Sequence, residues 1–344
     1  MTVRTDPLQS DLRPDFTPLF RNPHLSTIAG NFWQRTLDEQ RYPVTRKLYK
    51  VDKQTTIVSL EQQPVVPPRA QIAFLHGLEG SAEAGYIKSF SQTALERGFG
   101  VHRLNLRTCG GTEDLCETMY HSGLTSDAHS ILQTIKDSWR QPVLVIGFSL
   151  GGNVVLKLAG ELGETQLLQG VCAVSPPIDL AVCVRAIDKP SNILYARRFL
   201  DRLRRRIERK SRLAPHLYSS DGLHTVKTIW QFDDRYTAPL FGFGTAANYY
   251  ATQSASSFLD AIRVPTLVIT AEDDPLVPFE IFRHPAFERN PSLRLVATKH
   301  GGHLGFLSRH KPRFWMDWFA LNWAEEILLS LSADPKTQEQ ATSV

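Results

Sequence analysis

The run Val143-Leu144-Val145-Ile146-Gly147-Phe148-Ser149-Leu150-Gly151-Gly152-Asn153 constrains this chain more than any other. Its first half is short, apolar and rich in Val and Ile, the pattern of a buried strand. It ends in Gly-x-Ser-x-Gly, and Val154, Val155, Leu156, Leu158, Ala159 and Leu162 continue at helical spacing. Strand, tight turn carrying a serine, then helix is the context in which this short motif becomes a nucleophile elbow. The turn lifts the hydroxyl above the sheet and forces the serine into a strained backbone conformation. Gly147 and Gly151 lack Cβ, so the neighbouring elements can close on the turn. Leu150 opens the helix, and its N–H is a free donor that can face a developing oxyanion.

A chain of 344 residues has room for one large domain or two ordinary ones. Hydrophobic content of 42% and charged content of 22% are those of a soluble globular protein with a sizeable core. Residues 1–18 contain no apolar core of a secretory signal, and no run approaches a membrane span, so a cytoplasmic protein is expected. Cys109, Cys116, Cys172 and Cys183 lack C-x-x-C spacing, which argues against a zinc knuckle and for buried free thiols in a reducing compartment. A net charge of +4 is too small to imply nucleic acid.

The apolar pattern orders the chain. Residues 1–24 are polar and Pro-rich, an arm anchored by Phe16, Leu19 and Phe20; a short helix or turn is expected within 26–41. Strands are predicted over 44–51, 55–60, 70–75, 100–106, 143–148, 170–175, 265–270 and 293–296, with helices over 86–97, 126–139 and 314–331. A Thr/Ser/Asp cluster is suited to cap the helix that begins at Ser126. Two early strands followed by alternating strands and helices indicate a mostly parallel sheet covered on both faces. Residues 177–257 break the alternation and read as a helical lid inserted over the carboxyl edge of the sheet. The core is then 25–176 and 258–333, and 334–344 is a polar tail.

A serine hydroxyl is a poor nucleophile without a base, and the base needs an orienting carboxylate. For an elbow serine the chain order is serine, acid, histidine. Ala271-Glu272-Asp273-Asp274-Pro275 follows a buried strand, and Lys299-His300-Gly301-Gly302-His303-Leu304 follows the last one. Asp274, before Pro275-Leu276-Val277-Pro278, is the preferred acid, with Asp273 and Glu272 as rivals and Asp273 expected to brace the loop. His303, followed by an apolar wall, is preferred over His300. His300 and His303 could instead hold a metal, but their spacing is not H-E-x-x-H and no third ligand is near, so no metal and no cofactor is expected. The second oxyanion donor should come from the loop His76-Gly77-Leu78-Glu79-Gly80, with the Leu78 N–H the best placed. His76 is expected to pack that turn. Gly110-Gly111 lacks the Lys-Ser/Thr of a phosphate loop and reads as a tight turn. Arg107 is expected to pair with a loop carboxylate such as Glu113.

Residues 197–212 hold nine basic and two acidic side chains, a net of +7 that leaves −3 for the rest of the chain. Ala196, Phe199, Leu200, Leu203 and Ile207 form one apolar stripe beside them. A solvated face packed through its stripe is the ordinary reading of such a run. Peripheral contact with an anionic membrane or an acidic substrate is the sharper one.

These motifs together resemble the YheT-like branch of the α/β-hydrolases. The resemblance is carried by Gly147-Phe148-Ser149-Leu150-Gly151-Gly152-Asn153, the loop at His76, Asn105-Leu106-Arg107-Thr108-Cys109-Gly110-Gly111-Thr112, and Tyr120-His121-Ser122-Gly123. Arg21-Asn22-Pro23-His24-Leu25-Ser26-Thr27-Ile28 is the element most specific to the branch. The resemblance runs from about Phe20 to Leu331. It implies an α/β-hydrolase fold with a helical lid, a Ser149–His303–Asp274 triad, and hydrolysis of short- to medium-chain acyl esters of small molecules; animal relatives cleave phospholipids. The alternatives are amide or thioester hydrolysis or acyl transfer on the same triad, or a non-catalytic binding protein. The chain departs from its relatives in two respects. No amino-terminal membrane anchor of the animal type is expected, and Glu79 stands beside the expected oxyanion loop where a small residue or Thr is usual. A carboxylate facing the site would oppose an oxyanion, so Glu79 is expected to point outward.

Overall fold

The computed structural model describes residues 15–333. The tail 334–344 and most of the arm lie outside them. Eight strands form one sheet: β1 (Thr45–Asp52), β2 (Thr55–Gln62), β3 (Ala70–Leu75), β4 (Phe99–Leu104), β5 (Val143–Phe148), β6 (Gly170–Val174), β7 (Thr266–Ala271) and β8 (Leu293–Thr298). Their spatial order is β1-β2-β4-β3-β5-β6-β7-β8. β1 and β2 pair antiparallel, β2 meets β4 antiparallel, and every pair from β4 to β8 is parallel.

The period-2 alternation of the strands separates two cores. Val143 and Val145 of β5 face one side, with Ile131, Ile135 and Val155. Leu144, Ile146 and Phe148 face the other, with Phe90 and Phe319. Helices α2 (Gly85–Glu96), α3 (Ser126–Trp139) and α4 (Leu150–Leu162) and the closing helix Trp315–Ala333 supply these covers. The Thr125 hydroxyl does not cap α3: its backbone is already helical, and it donates to Glu161 instead at 2.5 Å.

The first helix, α1, spans Pro23–Phe32, earlier than the sequence pattern indicates. Asn22 caps it by accepting the Leu25 N–H, and Pro23 sits in the first turn, where its missing N–H costs nothing. Before α1 the arm lies against the core: Phe16 packs 5.0 Å from Trp315, centroid to centroid, and Leu19 N–H donates to the Leu307 carbonyl.

Between β6 and β7 the chain is largely helical, including α5 (Leu180–Ile187), α6 (Ile193–Leu213) and a helix over Ala246–Gln253. It gathers an apolar cluster of its own around Leu200, Leu203, Ile207, Phe232 and Tyr249. The elbow residue Asn153 ties it down. This fully buried amide donates to the Ser122 and Gln253 carbonyls and accepts the Ala255 N–H, all within 2.9 Å. No helix among the described residues is long and apolar enough to cross a membrane.

Candidate active site

Ser149 stands between β5 and α4 with φ 51° and ψ −120°, a conformation that disfavours any side chain. The turn can close only because its flanks are bare. A Cβ on Gly147 would lie 2.2 Å from the Gly151 carbonyl oxygen, and one on Gly151 would lie 2.4 Å from that of Leu75.

The acid and histidine loops leave β7 and β8 at the same edge. Ser149 Oγ is 2.9 Å from His303 Nε2, and His303 Nδ1 is 2.8 Å from Asp274 Oδ2. A carboxylate only accepts, so Nδ1 carries the proton toward Asp274 and Nε2 is left to accept from the serine. Asp274 Oδ1 accepts the Leu276 and Val277 N–H groups at 2.8 and 3.0 Å, which explains the residues that follow it. Its side chain is fully buried. The rival residues form a parallel pair: Asp273 meets His300 Nδ1 at 3.1 Å and accepts the Gly302 N–H at 2.9 Å. Each histidine therefore has its own carboxylate. No cluster of three or more metal-ligating side chains occurs among the described residues.

Thr27 of α1, to which the sequence assigned no role, braces the histidine. Its Oγ1 accepts the His303 N–H at 2.8 Å and donates to the Pro23 carbonyl at 2.7 Å. Gly30 lets α1 approach so closely that a Cβ there would lie 2.6 Å from Gly305 Cα. The only forewarning was the motif at Arg21–Ile28, which pointed to the branch and not to a contact.

In the loop after β3, Gly77 N–H donates to Tyr86 Oη, Glu79 N–H to Tyr120 Oη and Gly80 N–H to the Gly77 carbonyl. The Leu78 N–H has no such partner among the described residues. Neither has the Leu150 N–H, in the first turn of α4. His76 is neutral: burial, aided by the charge of Arg206, pushes its pKa down to about 4. It donates from Nδ1 to the Gly77 carbonyl and accepts the Leu106 N–H at Nε2, packing the turn as expected.

Glu79 does not point outward. It is buried, at φ 55°, and its carboxylate is gripped from the lid. Arg206 of α6 reaches it with two bonds, Nε to Oε1 at 3.0 Å and Nη2 to Oε2 at 2.8 Å. Tyr120 Oη adds a third at 2.9 Å, and Arg206 also donates to Thr108. The physical reason is charge compensation. A buried carboxylate in the loop after β3 is tolerable when a guanidinium neutralises it in place.

The same contact corrects the reading of the basic run. Arg206 and Lys210 lie on the buried side of α6 with Leu203 and Ile207; Lys210 donates to the Glu113 and Cys116 carbonyls. Arg107 also takes another partner than expected, Asp127, through two bonds of 2.6 Å. Glu113 pairs instead with Arg209 of α6.

Two spaces meet at Ser149 and His303. The inner one is a partly open, chiefly apolar cavity under the lid, with Leu180, Val184, Leu203, Ile229 and Phe232 among its walls. Two polar groups there were not foreseen. His121 is held neutral, its pKa lowered to about 3 by burial and by the charges of Lys157 and Arg107. Asp233 is raised to about 6 by burial, against the hydroxyls of Thr237 and Tyr250 that bind it. The outer space is a wider open cleft bounded by Ile28, Phe32, Tyr195, Arg198 and Arg202.

A parallel sheet carrying a strained serine elbow, with a histidine and a carboxylate delivered by the last two strand ends, defines the α/β-hydrolase class. The chain belongs to that family: residues 71–309, well over half of its length, match the model described as "alpha/beta hydrolase fold". Within the family it is YheT-like. It is 28% identical over 327 residues to the Escherichia coli protein named "Putative esterase YheT", covering 93% of this chain and 95% of that one. It is 28% identical over 247 residues to human "Phospholipase ABHD3", covering 71% of this chain and 60% of that one. Among solved structures, the Pyrococcus furiosus esterase Pf2001 shares the fold with a TM-score of 0.55 and 16% identity, over 87% of this chain and 97% of that one.

Proposed function

We propose that the protein is a serine hydrolase of carboxylic esters with short- to medium-chain acyl groups, working through a Ser149–His303–Asp274 triad and an acyl-enzyme. The observation that carries this reading is the unbroken hydrogen-bond chain from Ser149 Oγ to Asp274, in a cavity also lined by Leu78 and Leu150, whose N–H groups have no partner among the described residues. His303 Nε2 takes the Ser149 proton as Oγ attacks the ester carbonyl. The N–H groups of Leu78 and Leu150 receive the oxyanion. His303 returns the proton to the leaving alcohol, and a water activated by the same nitrogen then releases the acid. Asp274 keeps the proton on Nδ1 and stabilises the imidazolium.

The acyl chain enters the apolar inner cavity, and the alcohol leaves through the outer cleft. The names of the E. coli and human relatives, an esterase and a phospholipase, agree with ester chemistry. The test is labelling with a fluorophosphonate probe, followed by an ester chain-length series run beside matched amides and acceptor alcohols. The expected result is mass gain at Ser149 and turnover that peaks at a short or medium acyl chain. An intact protein that gains no mass at Ser149 would leave a binding protein on a hydrolase fold. Faster amide cleavage or transfer to alcohols would reassign the chemistry on the same triad.

A further inference from the structure

Helix α1 is amphipathic the wrong way round. Its buried side is Ser26, Thr27 and Gly30, packed on the histidine loop. Leu25, Ile28 and Phe32 project outward at i, i+3 and i+7, exposed by 54%, 43% and 70%. Three large apolar side chains on one turn-spaced stripe are more than a scatter of surface residues. The start of α6 extends the stripe: Ile193 and Leu194 are 44% and 72% exposed. The two helices are joined there, since His24 Nδ1 lies 3.2 Å from Tyr195 Oη and the Arg198 guanidinium lies 5.4 Å over the Phe32 ring.

Cations border this apolar surface. Arg21 shares a shallow recess with Leu25, and Arg197, Arg198 and Arg202 are exposed along α6. The exposed acid in that stretch, Asp201, is paired with Arg204. The surface is continuous with the route to the serine: Ile28, Phe32, Tyr195 and Arg198 also form the wall of the outer cleft that opens onto Ser149 and His303.

We propose that α1 and the amino-terminal turns of α6 form a docking surface for an anionic lipid bilayer. Leu25, Ile28, Phe32 and Leu194 enter the acyl boundary and the arginines lie at the phosphate level. An apolar stripe flanked by cations matches the layering of such a bilayer. A protein partner or a second copy seated here would cover the cleft mouth, whereas a bilayer at the same place presents substrate to it. This also moves the membrane contact expected for residues 197–212: Arg206 and Lys210 turn inward, so the contact lies at the α1 end of that helix. The inference rests on the ester reading only in supposing a lipid substrate.

The experiment is co-sedimentation of the full chain with phosphatidylcholine vesicles, with and without phosphatidylglycerol, beside hydrolysis of a short water-soluble ester. The wild-type protein should bind the phosphatidylglycerol vesicles more tightly than neutral ones. Leu25→Ser/Leu194→Ser should weaken that binding about tenfold or more while leaving hydrolysis of the soluble ester unchanged. Arg197→Gln/Arg198→Gln should reduce both the binding to phosphatidylglycerol vesicles and its salt sensitivity. Three results would overturn the proposal: no binding to phosphatidylglycerol vesicles, binding untouched by the leucine substitutions, or a wild-type dimer that those substitutions turn into monomer. If vesicle binding behaves as expected but no ester is hydrolysed, the surface stands and the esterase reading fails.

Discussion

Arg206→Met tests whether the lid helix takes part in preparing the oxyanion loop. Methionine keeps much of the volume and apolar stem of the arginine but removes the two bonds to Glu79 and the contacts to Thr108. Glu79, whose side chain is 3% exposed, is then a buried carboxylate without its cation. Loss of one partner from a buried pair costs about 3–5 kcal/mol of stability. The effect on turnover has a different origin. Glu79 is adjacent in sequence to Leu78, so its charge falls within about 8 Å of the developing oxyanion; at an effective dielectric near 20 the repulsion is about 2 kcal/mol. That corresponds to a fall in kcat of about thirtyfold. KM for a neutral short ester should change little, because the repulsion acts on charge that develops only in the transition state. Glu79→Gln added to Arg206→Met should recover most of the kcat, since the uncompensated charge is gone. Steady-state kinetics with p-nitrophenyl esters, at a temperature where chemical denaturation shows each variant folded, supplies the numbers. A folded Arg206→Met with kcat within twofold of wild type would refute the reasoning. So would a double variant as slow as the single one, which would mean that the lost contacts and not the charge matter.

Two further expectations follow from the site and its surroundings. Asp274→Asn should cut kcat by about 10³–10⁴ through the wrong histidine tautomer, while Asp273→Asn, which acts on His300 and the loop, should cost far less; equal losses in the two variants would dissolve the assignment of acids. His76 and His121 have folded-state pKa values lowered to about 4 and about 3, so the unfolded chain binds protons that the folded one refuses. Stability contributed by these groups is present above pH ~6.5 and is lost as pH falls from there toward 4, by up to about 2–3 kcal/mol per pH unit for the two together. His121→Asn should reduce the slope of urea-determined stability against pH by about one proton, and an unchanged slope would show that His121 titrates freely in the folded protein.

The chain by itself determined the elements and which side chains they bring to the candidate site. Val and Ile runs of strand length bounded by Gly and Pro marked the strands, and Gly147 and Gly151 around Ser149 marked the elbow, because strand periodicity and turn sterics are local properties. Asp274 before Pro275 and His303 after the last strand could be placed at one sheet edge, because parallel strands deliver all their carboxyl ends to the same side. Element ends moved by a few residues, as at α1, where Asn22 and Pro23 begin a helix that the polar arm obscured. Tertiary structure alone decided which charges are inside. Arg206 and Lys210 read like their neighbours in a solvated run, and Glu79 read as a carboxylate to be turned away. The energy of a buried charge depends on its partner, and here that partner is 127 positions off along the chain. The outward face of α1 has the same cause. Local pattern did not say which side of α1 meets the core: Thr27 and Gly30 are what the histidine loop admits, and the side with Leu25, Ile28 and Phe32 was left facing out.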